Sequence, residues 1–185
     1  MDNSLDTLIR VYDNHIPPAF CDEIVRRFEG AGDHHVSAPF PPHRVFTEMN
    51  LMATPGWDDV TAKLIGAMQD GVRRYVDDAG VSRVVWPEKN GYEQIRMKRY
   101  LPNGEDQFDW HVDVQDHASA RRFLVYFWYL TDVAEGGETE FQWGRSVRPQ
   151  KGRLIMFPPT WEFPHRGAPV VDGVKYIVGG YLHYL

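Results

Sequence analysis

From about Gln94 onward the chain is divided into short segments that suit strands and little else. Apolar or alternating runs cover 94–101, 108–114, 122–131, 138–142, 146–149, 153–157, 163–168 and 175–183. Turn residues such as Asn103-Gly104, Gly136-Gly137, Gly152, Pro158-Pro159 and Gly173 stand between them. Short strands in such a tandem point to a double-sheet jelly roll, in which the ends of facing strands meet at an open mouth.

The preceding residues carry a different period. Phe20, Ile24, Val25 and Phe28 fall at helical spacing after Pro17-Pro18, with Gly30 and Gly32 as a stop. A second stripe, Trp57, Val60, Leu64, Met68, Val72 and Tyr75, runs up to Gly80, and Thr54-Pro55 offers it an N-cap with Pro in the first turn. Both stripes read as packing faces. The stretch 37–43 holds too much Pro for regular structure, and the nearby His34-His35 pair has no acid or Cys pattern to complete a metal set. The expectation is a mainly β protein with N-terminal helices. Residues 1–90 form a helical bracing segment packed, as part of one domain, on a core over 91–185.

A length of 185 residues fits one domain with a proper core. The hydrophobic share of 43% and aromatic share of 14% exclude a disordered chain. A net charge of −6 without a basic tract disfavours broad electrostatic nucleic-acid binding, though not a local basic groove. The single Cys21 excludes an internal disulfide and suits a reducing compartment. Met1 to Arg10 shows no signal-peptide pattern, and no run approaches the roughly 20 apolar residues needed to span a bilayer. A cytoplasmic monomer or small homo-oligomer without a membrane partner is the resulting expectation.

Four residues carry the chemistry: His111 and Asp113 in His-Val-Asp, His165 in Pro-His-Arg, and Lys175 in Gly-Val-Lys-Tyr. Two imidazoles and one carboxylate make the ligand set that holds Fe(II) on one face and leaves other positions open. In an extended backbone residues i and i+2 share a face, so His111 and Asp113 can meet one ion; a helix would turn them about 200° apart. Singly, each has a plain structural alternative. With eight His in the chain, about one His-x-Asp triplet arises by chance. His165 alone reads as a half-buried hydrogen-bonded histidine, and Lys175 as a surface lysine at a strand start. Their ordered coincidence is what points to a metal with a dianionic co-substrate beside it.

The stretch from Tyr100 to Tyr181 resembles the prolyl 4-hydroxylase-like branch of the Fe(II)/2-oxoglutarate dioxygenases. The matching segments include Arg99-Tyr100-Leu101-Pro102-Asn103-Gly104, His111-Val112-Asp113, Tyr129-Leu130-Thr131-Asp132, Gly136-Gly137-Glu138-Thr139-Glu140-Phe141, Pro164-His165-Arg166-Gly167 and Gly173-Val174-Lys175-Tyr176. The resemblance implies a double-stranded β-helix, a jelly-roll or cupin-like core, with His111, Asp113 and His165 as catalytic metal ligands. It implies Lys175 against the far carboxylate of 2-oxoglutarate, the Tyr129 hydroxyl against the same carboxylate and Tyr100 in the pocket wall. It further implies Fe(II), with 2-oxoglutarate and O2 as co-substrates and ascorbate as reductant. The products would be succinate, CO2 and a substrate hydroxylated at an unactivated C–H bond.

The resemblance favours a prolyl residue in a peptide or protein. A free amino acid, another small molecule or a nucleic acid stays open, as does a catalytically silent metal-binding module. The spacing after His165, with Arg166 and then Lys175, departs from the arginine pair usual in DNA-repair relatives and lowers the nucleic-acid reading. If Tyr100 faces the pocket, period 2 places Lys98 and Arg96 on that face as a basic rail suited to a carboxylate or polar backbone. Arg96, Trp161 and Tyr181 are candidate substrate contacts, and Arg121-Arg122 read as solvated residues at the opening.

Overall fold

The structure, a computed structural model, describes residues 4–37 and 43–185. The Pro-rich stretch 38–42 lies outside the described residues. In chain order the elements are β1 (Arg10–Tyr12), α1 (Pro18–Glu29), β2 (Val36–Ser37), β3 (Arg44–Val45), β4 (Thr47–Asn50), α2 (Asp58–Asp78), β5 (Asn90–Tyr92), β6 (Arg96–Tyr100) and β7 (Gln107–His111). There follow β8 (Arg122–Tyr129), β9 (Glu135–Gly136), β10 (Thr139–Phe141), β11 (Ser146–Val147), β12 (Leu154–Phe157), β13 (His165–Gly167), β14 (Val170–Asp172) and β15 (Lys175–Tyr184).

All pairings are antiparallel. The larger sheet runs β1-β12-β8-β15-β6-β4-β2, with β5 on the far end of β15; the smaller runs β11-β10-β13-β7-β3, and β14 pairs with β9. Alternation along the central strands gives each sheet face a different duty. Tyr126, Trp128, Leu154, Met156, Met97 and Val178 point to the helices and share a core with Ile24, Phe28, Leu64 and Met68. Their neighbours Val125, Tyr129, Ile155 and Phe157 point between the sheets and meet Phe141 and Phe163. Each fully buried large apolar side chain contributes about 1.5–3 kcal/mol, so the helices hold the large sheet through many such contacts. Where β15 crosses β8, Gly179 has no room for a side chain: a Cβ would stand 2.1 Å from the Tyr126 carbonyl oxygen.

The eight strands expected after Gln94 are all present, mostly shortened by a residue or more at their ends. The segment before residue 91 supplies strands as well as helices, since β1 extends the large sheet, β4 pairs with β6, and β3 pairs with β7. Strands of two to four residues are too short to display a period. The second helix begins at Asp58, later than Thr54-Pro55 suggests. The Thr54 hydroxyl donates instead to the Asn50 carbonyl at 2.7 Å, and Gly56 takes a positive φ of 79°, so these residues form a turn. Asp58 and Asp59 then favour the first helical turn electrostatically. Among the described residues, no helix is long and apolar enough to cross a membrane.

Candidate active site

Between the sheets, β7 and β13 place His111 and His165 directly opposite one another. Their ring centroids are 4.3 Å apart. The His111 Nδ1–H donates to the Asp109 carbonyl at 2.7 Å and the His165 Nδ1–H to the Phe163 carbonyl at 3.0 Å. A carbonyl only accepts, so each ring carries its proton on Nδ1 and turns a lone pair on Nε2 inward. Phe108 lies flat on His111 at 3.5 Å between centroids, and Phe157 stands edge-on to His165 at 4.8 Å.

Asp113 follows β7 in a loop pinned by its own N–H, which donates to the Pro159 carbonyl at 3.1 Å. Its Oδ2 stands 3.4 Å from His165 Nε2, and its Oδ1 3.8 Å from His111 Nε2. Candidate donor atoms of the three residues all lie within 4.8 Å of one another. Burial and the facing His165 push the His111 pKa down to about 3. Burial alone would raise the Asp113 carboxyl, but the two imidazoles, the Tyr181 hydroxyl and Lys98 outweigh it and hold it below its ordinary range. At neutral pH His111 is therefore a neutral imidazole beside an ionised carboxylate. Asp113 Oδ2 is buried without a hydrogen-bond partner. Lone pairs converging without a shared proton fit a cation, and two nitrogens with one oxygen fit Fe(II).

A second layer fixes the carboxylate. The Tyr181 hydroxyl donates to Asp113 Oδ1 at 2.6 Å. The Arg122 guanidinium covers the Tyr181 ring at 4.0 Å, donates to the Asp113 carbonyl at 2.9 Å, and is clamped by both oxygens of Glu93 at 2.9 and 3.0 Å. Arg122 is thus half-buried and bound, where the sequence reading left it solvated. Its Arg-Arg context on a strand end carries no sign of a partner 29 residues upstream.

Lys175 begins β15 almost wholly buried, at 2% exposure. Its ammonium stands 5.0 Å from the Tyr100 ring and 5.9 Å from the Tyr129 ring. Burial, reinforced by Lys98 and opposed by Glu138, pushes its pKa down to about 7. Gly167 keeps the space beside it open, since a Cβ there would stand 3.4 Å from Nζ. The Tyr129 hydroxyl donates to Thr139 Oγ1 at 2.6 Å, and Thr139 lies opposite Gly167 on β13. Thr139 is buried and bonded to Tyr129, a bond that the Gly-Gly-Glu-Thr motif gives no sign of.

A cavity of about 600 Å³ opens beside His111 and Asp113. Arg96 and Lys98 line it, as the alternation along β6 requires, and so does Tyr181. Trp161 does not: it is 75% exposed in the turn before β13 and forms no part of the cavity wall. The turn at Pro158-Pro159 carries it outward while Phe163 takes the buried place. His35 stacks on Phe28 at 4.0 Å and bonds the Phe28 carbonyl, so the His pair is structural at that position.

The family model described as the 2OG-Fe(II) oxygenase superfamily matches residues 95–183. A PKHD-type hydroxylase of Synechococcus sp. (strain CC9902) is 30% identical over 82 residues, which cover 42% of this chain and 36% of that protein. The chain's match thus spans about a third of the length of this curated relative. Among solved structures, the viral collagen prolyl hydroxylase of Paramecium Bursaria Chlorella virus-1 in its 2OG complex superposes with a TM-score of 0.72 at 22% identity, covering 96% of this chain and 97% of that one. A Trichoplax adhaerens prolyl hydroxylase, solved with a hypoxia inducible factor oxygen degradation domain peptide fragment, gives a TM-score of 0.76 at 13% identity, covering 98% and 86%. Just under half of this chain thus matches the 2OG-Fe(II) oxygenase superfamily, and nearly all of it shares the double-stranded β-helix fold of the solved prolyl hydroxylases.

Proposed function

We propose that the chain is an Fe(II)- and 2-oxoglutarate-dependent hydroxylase of prolyl 4-hydroxylase type, acting on a prolyl residue of a peptide or protein. The observation that carries the reaction class is the inward convergence of the His111, Asp113 and His165 lone pairs with the buried Lys175 cation close by. His111, Asp113 and His165 would hold Fe(II), which would supply oxidative chemistry with O2 and 2-oxoglutarate, succinate and CO2 being the co-products of that reaction class. A silent module has no need of all four residues. The peptide substrate of the Trichoplax relative and the collagen-directed viral one support a peptide here. Ascorbate as reductant, a cytoplasmic location and a monomer or small homo-oligomer complete the reading.

Each residue has a physical task. Asp113 would offset one of the two charges of Fe(II); of the two negative charges of 2-oxoglutarate, the remaining metal charge would meet one and Lys175 the other, from the far end. Tyr100 walls that end. Phe108, Phe46, Val125 and Ile177 line the cavity with apolar surface that excludes water from the reacting C–H bond. Tyr181 occupies Asp113 Oδ1 and so leaves Oδ2 as the oxygen for the metal.

The direct test is succinate formation followed by NMR with purified protein, Fe(II), 2-oxoglutarate, ascorbate and air, beside a His111→Ala control. Slow uncoupled turnover that vanishes in the control is the expected result; equal succinate in both samples would end the reading. Proline peptides should then accelerate turnover. Tyr181→Phe keeps the ring under Arg122 and removes only the bond to Asp113. Loss of such an outer partner weakens metal binding by roughly 10- to 100-fold. Titration of Co(II) into the metal-free variant should show that loss with little change in Tm, and unaltered affinity would free Asp113 from dependence on Tyr181.

A further inference from the structure

The cavity beside the triad is lined by several charged side chains, and most are already committed. Arg96 pairs with Glu48 across β6 and β4 at 3.1 Å. Arg122 is held by Glu93 and the Asp113 carbonyl. Asp116 accepts from the Ser119 hydroxyl at 2.7 Å, and Arg44 at the rim has a partner of its own. Lys98 differs. Its ammonium lies over the Phe46 ring at 4.9 Å and the Phe108 ring at 5.3 Å, and among the described residues it makes no ion pair. Aromatic faces attract a cation without neutralising it.

Phe108 stacks on His111, so Lys98 stands one ring away from the metal-facing imidazole. Its strand neighbours are Ile177 on β15, two residues beyond Lys175 and two before Gly179, and Glu48 on β4. Lys175 is absent from the open cavity wall, whereas Lys98 is part of it.

Charge balance sets what Lys98 awaits. With Fe(II), 2-oxoglutarate and Asp113 in place, protonated Lys175 brings the inner site to neutrality. Protonated Lys98 then adds a positive charge; of the acids that act on it, Asp113 is already counted and Glu48 is paired with Arg96. Burial draws its pKa down, with Asp113 and Glu48 pulling the other way, which is the strain that an arriving anion relieves.

We propose that Lys98 is a second carboxylate-binding residue of this site, and that the primary substrate presents a carboxylate to it near the C–H bond that reacts. This deepens the hydroxylase reading and rests on it. It narrows the substrate to an acid, such as a free amino acid, a chain terminus or a residue flanked by an acidic group, and disfavours an uncharged internal segment.

The test uses intact protein loaded with Mn(II) and saturating 2-oxoglutarate under nitrogen. Paramagnetic relaxation of the methyl protons of acetate is measured by NMR, with acetamide as the neutral counterpart. Acetate should give saturable relaxation and acetamide none. Lys98→Met, which fits between two rings, should weaken acetate by roughly tenfold or more, while Lys98→Arg retains it. The affinity for 2-oxoglutarate should stay unchanged in Lys98→Met. Equal behaviour of acetate and acetamide, or acetate binding indifferent to Lys98→Met, overturns the proposal. So does a weakened 2-oxoglutarate affinity with acetate unaffected, because Lys98 would then serve the co-substrate. If 2-oxoglutarate itself fails to bind the parent protein, the hydroxylase reading falls first and takes this proposal with it.

Discussion

His165→Ala should reduce succinate formation to the buffer background and strip the protein of its metal. His165 supplies one of the two imidazole nitrogens that face Asp113, at 3.4 Å from Oδ2. Its ring is fixed by the Phe163 carbonyl and by contact with Phe157. Removing a direct ligand should cost more than the roughly 10- to 100-fold in affinity typical of outer partners. The side chain is also core, with 6% exposure, and its deletion leaves a void beside Phe141 and Phe157. His165→Gln separates the two effects because it fills most of that space. If both variants lose Co(II) binding while the glutamine variant keeps the parent's Tm, the loss belongs to ligation. Turnover that survives in a folded His165→Gln or His165→Ala protein would mean the metal is held elsewhere.

How much of this was readable from the chain follows from the range of each interaction. The triad and Lys175 were legible because each sits in a short motif, and strand alternation then fixed which face it uses. The same alternation correctly put Arg96 and Lys98 on the cavity side of β6. The exposure of Trp161 follows from the Pro158-Pro159 turn, whose direction is not encoded in the closeness of Trp161 to His165 in sequence. The bond from the Tyr129 hydroxyl to Thr139 joins strands of different sheets, a pairing that no local period encodes. Arg122 and Glu93 are 29 residues apart and meet because β5 and β8 flank the same end of β15. The short strands β1 to β4 were invisible for a related reason: their stability comes from the sheets they join, and two to four residues carry no pattern of their own.

Lys175→Met should weaken 2-oxoglutarate by roughly 30-fold or more while leaving metal affinity as it was. Truncating one partner of a buried charge pair costs about 2–5 kcal/mol, much of it from the anion left unmatched. The same substitution should stabilise the ligand-free protein, because the lysine is a liability there. Its folded pKa of about 7 lies below the ordinary value of 10.5, so between those pH values the unfolded chain holds more protons than the folded one. Stability of the parent therefore rises with pH across this window, and the lysine's penalty is fully present below about pH 7 and gone above about 10.5. The advantage of Lys175→Met in Tm should accordingly be greatest at the acid end and shrink toward the alkaline one. Binding of the dianion reverses the balance by favouring the protonated ammonium. Above about pH 7, 2-oxoglutarate must carry a proton in with it, and its affinity should fall by up to about tenfold per pH unit in the parent. That slope should be absent in Lys175→Met. Anaerobic 2-oxoglutarate titrations of both proteins across pH would settle the point, and matching affinities and slopes would remove Lys175 from the co-substrate site.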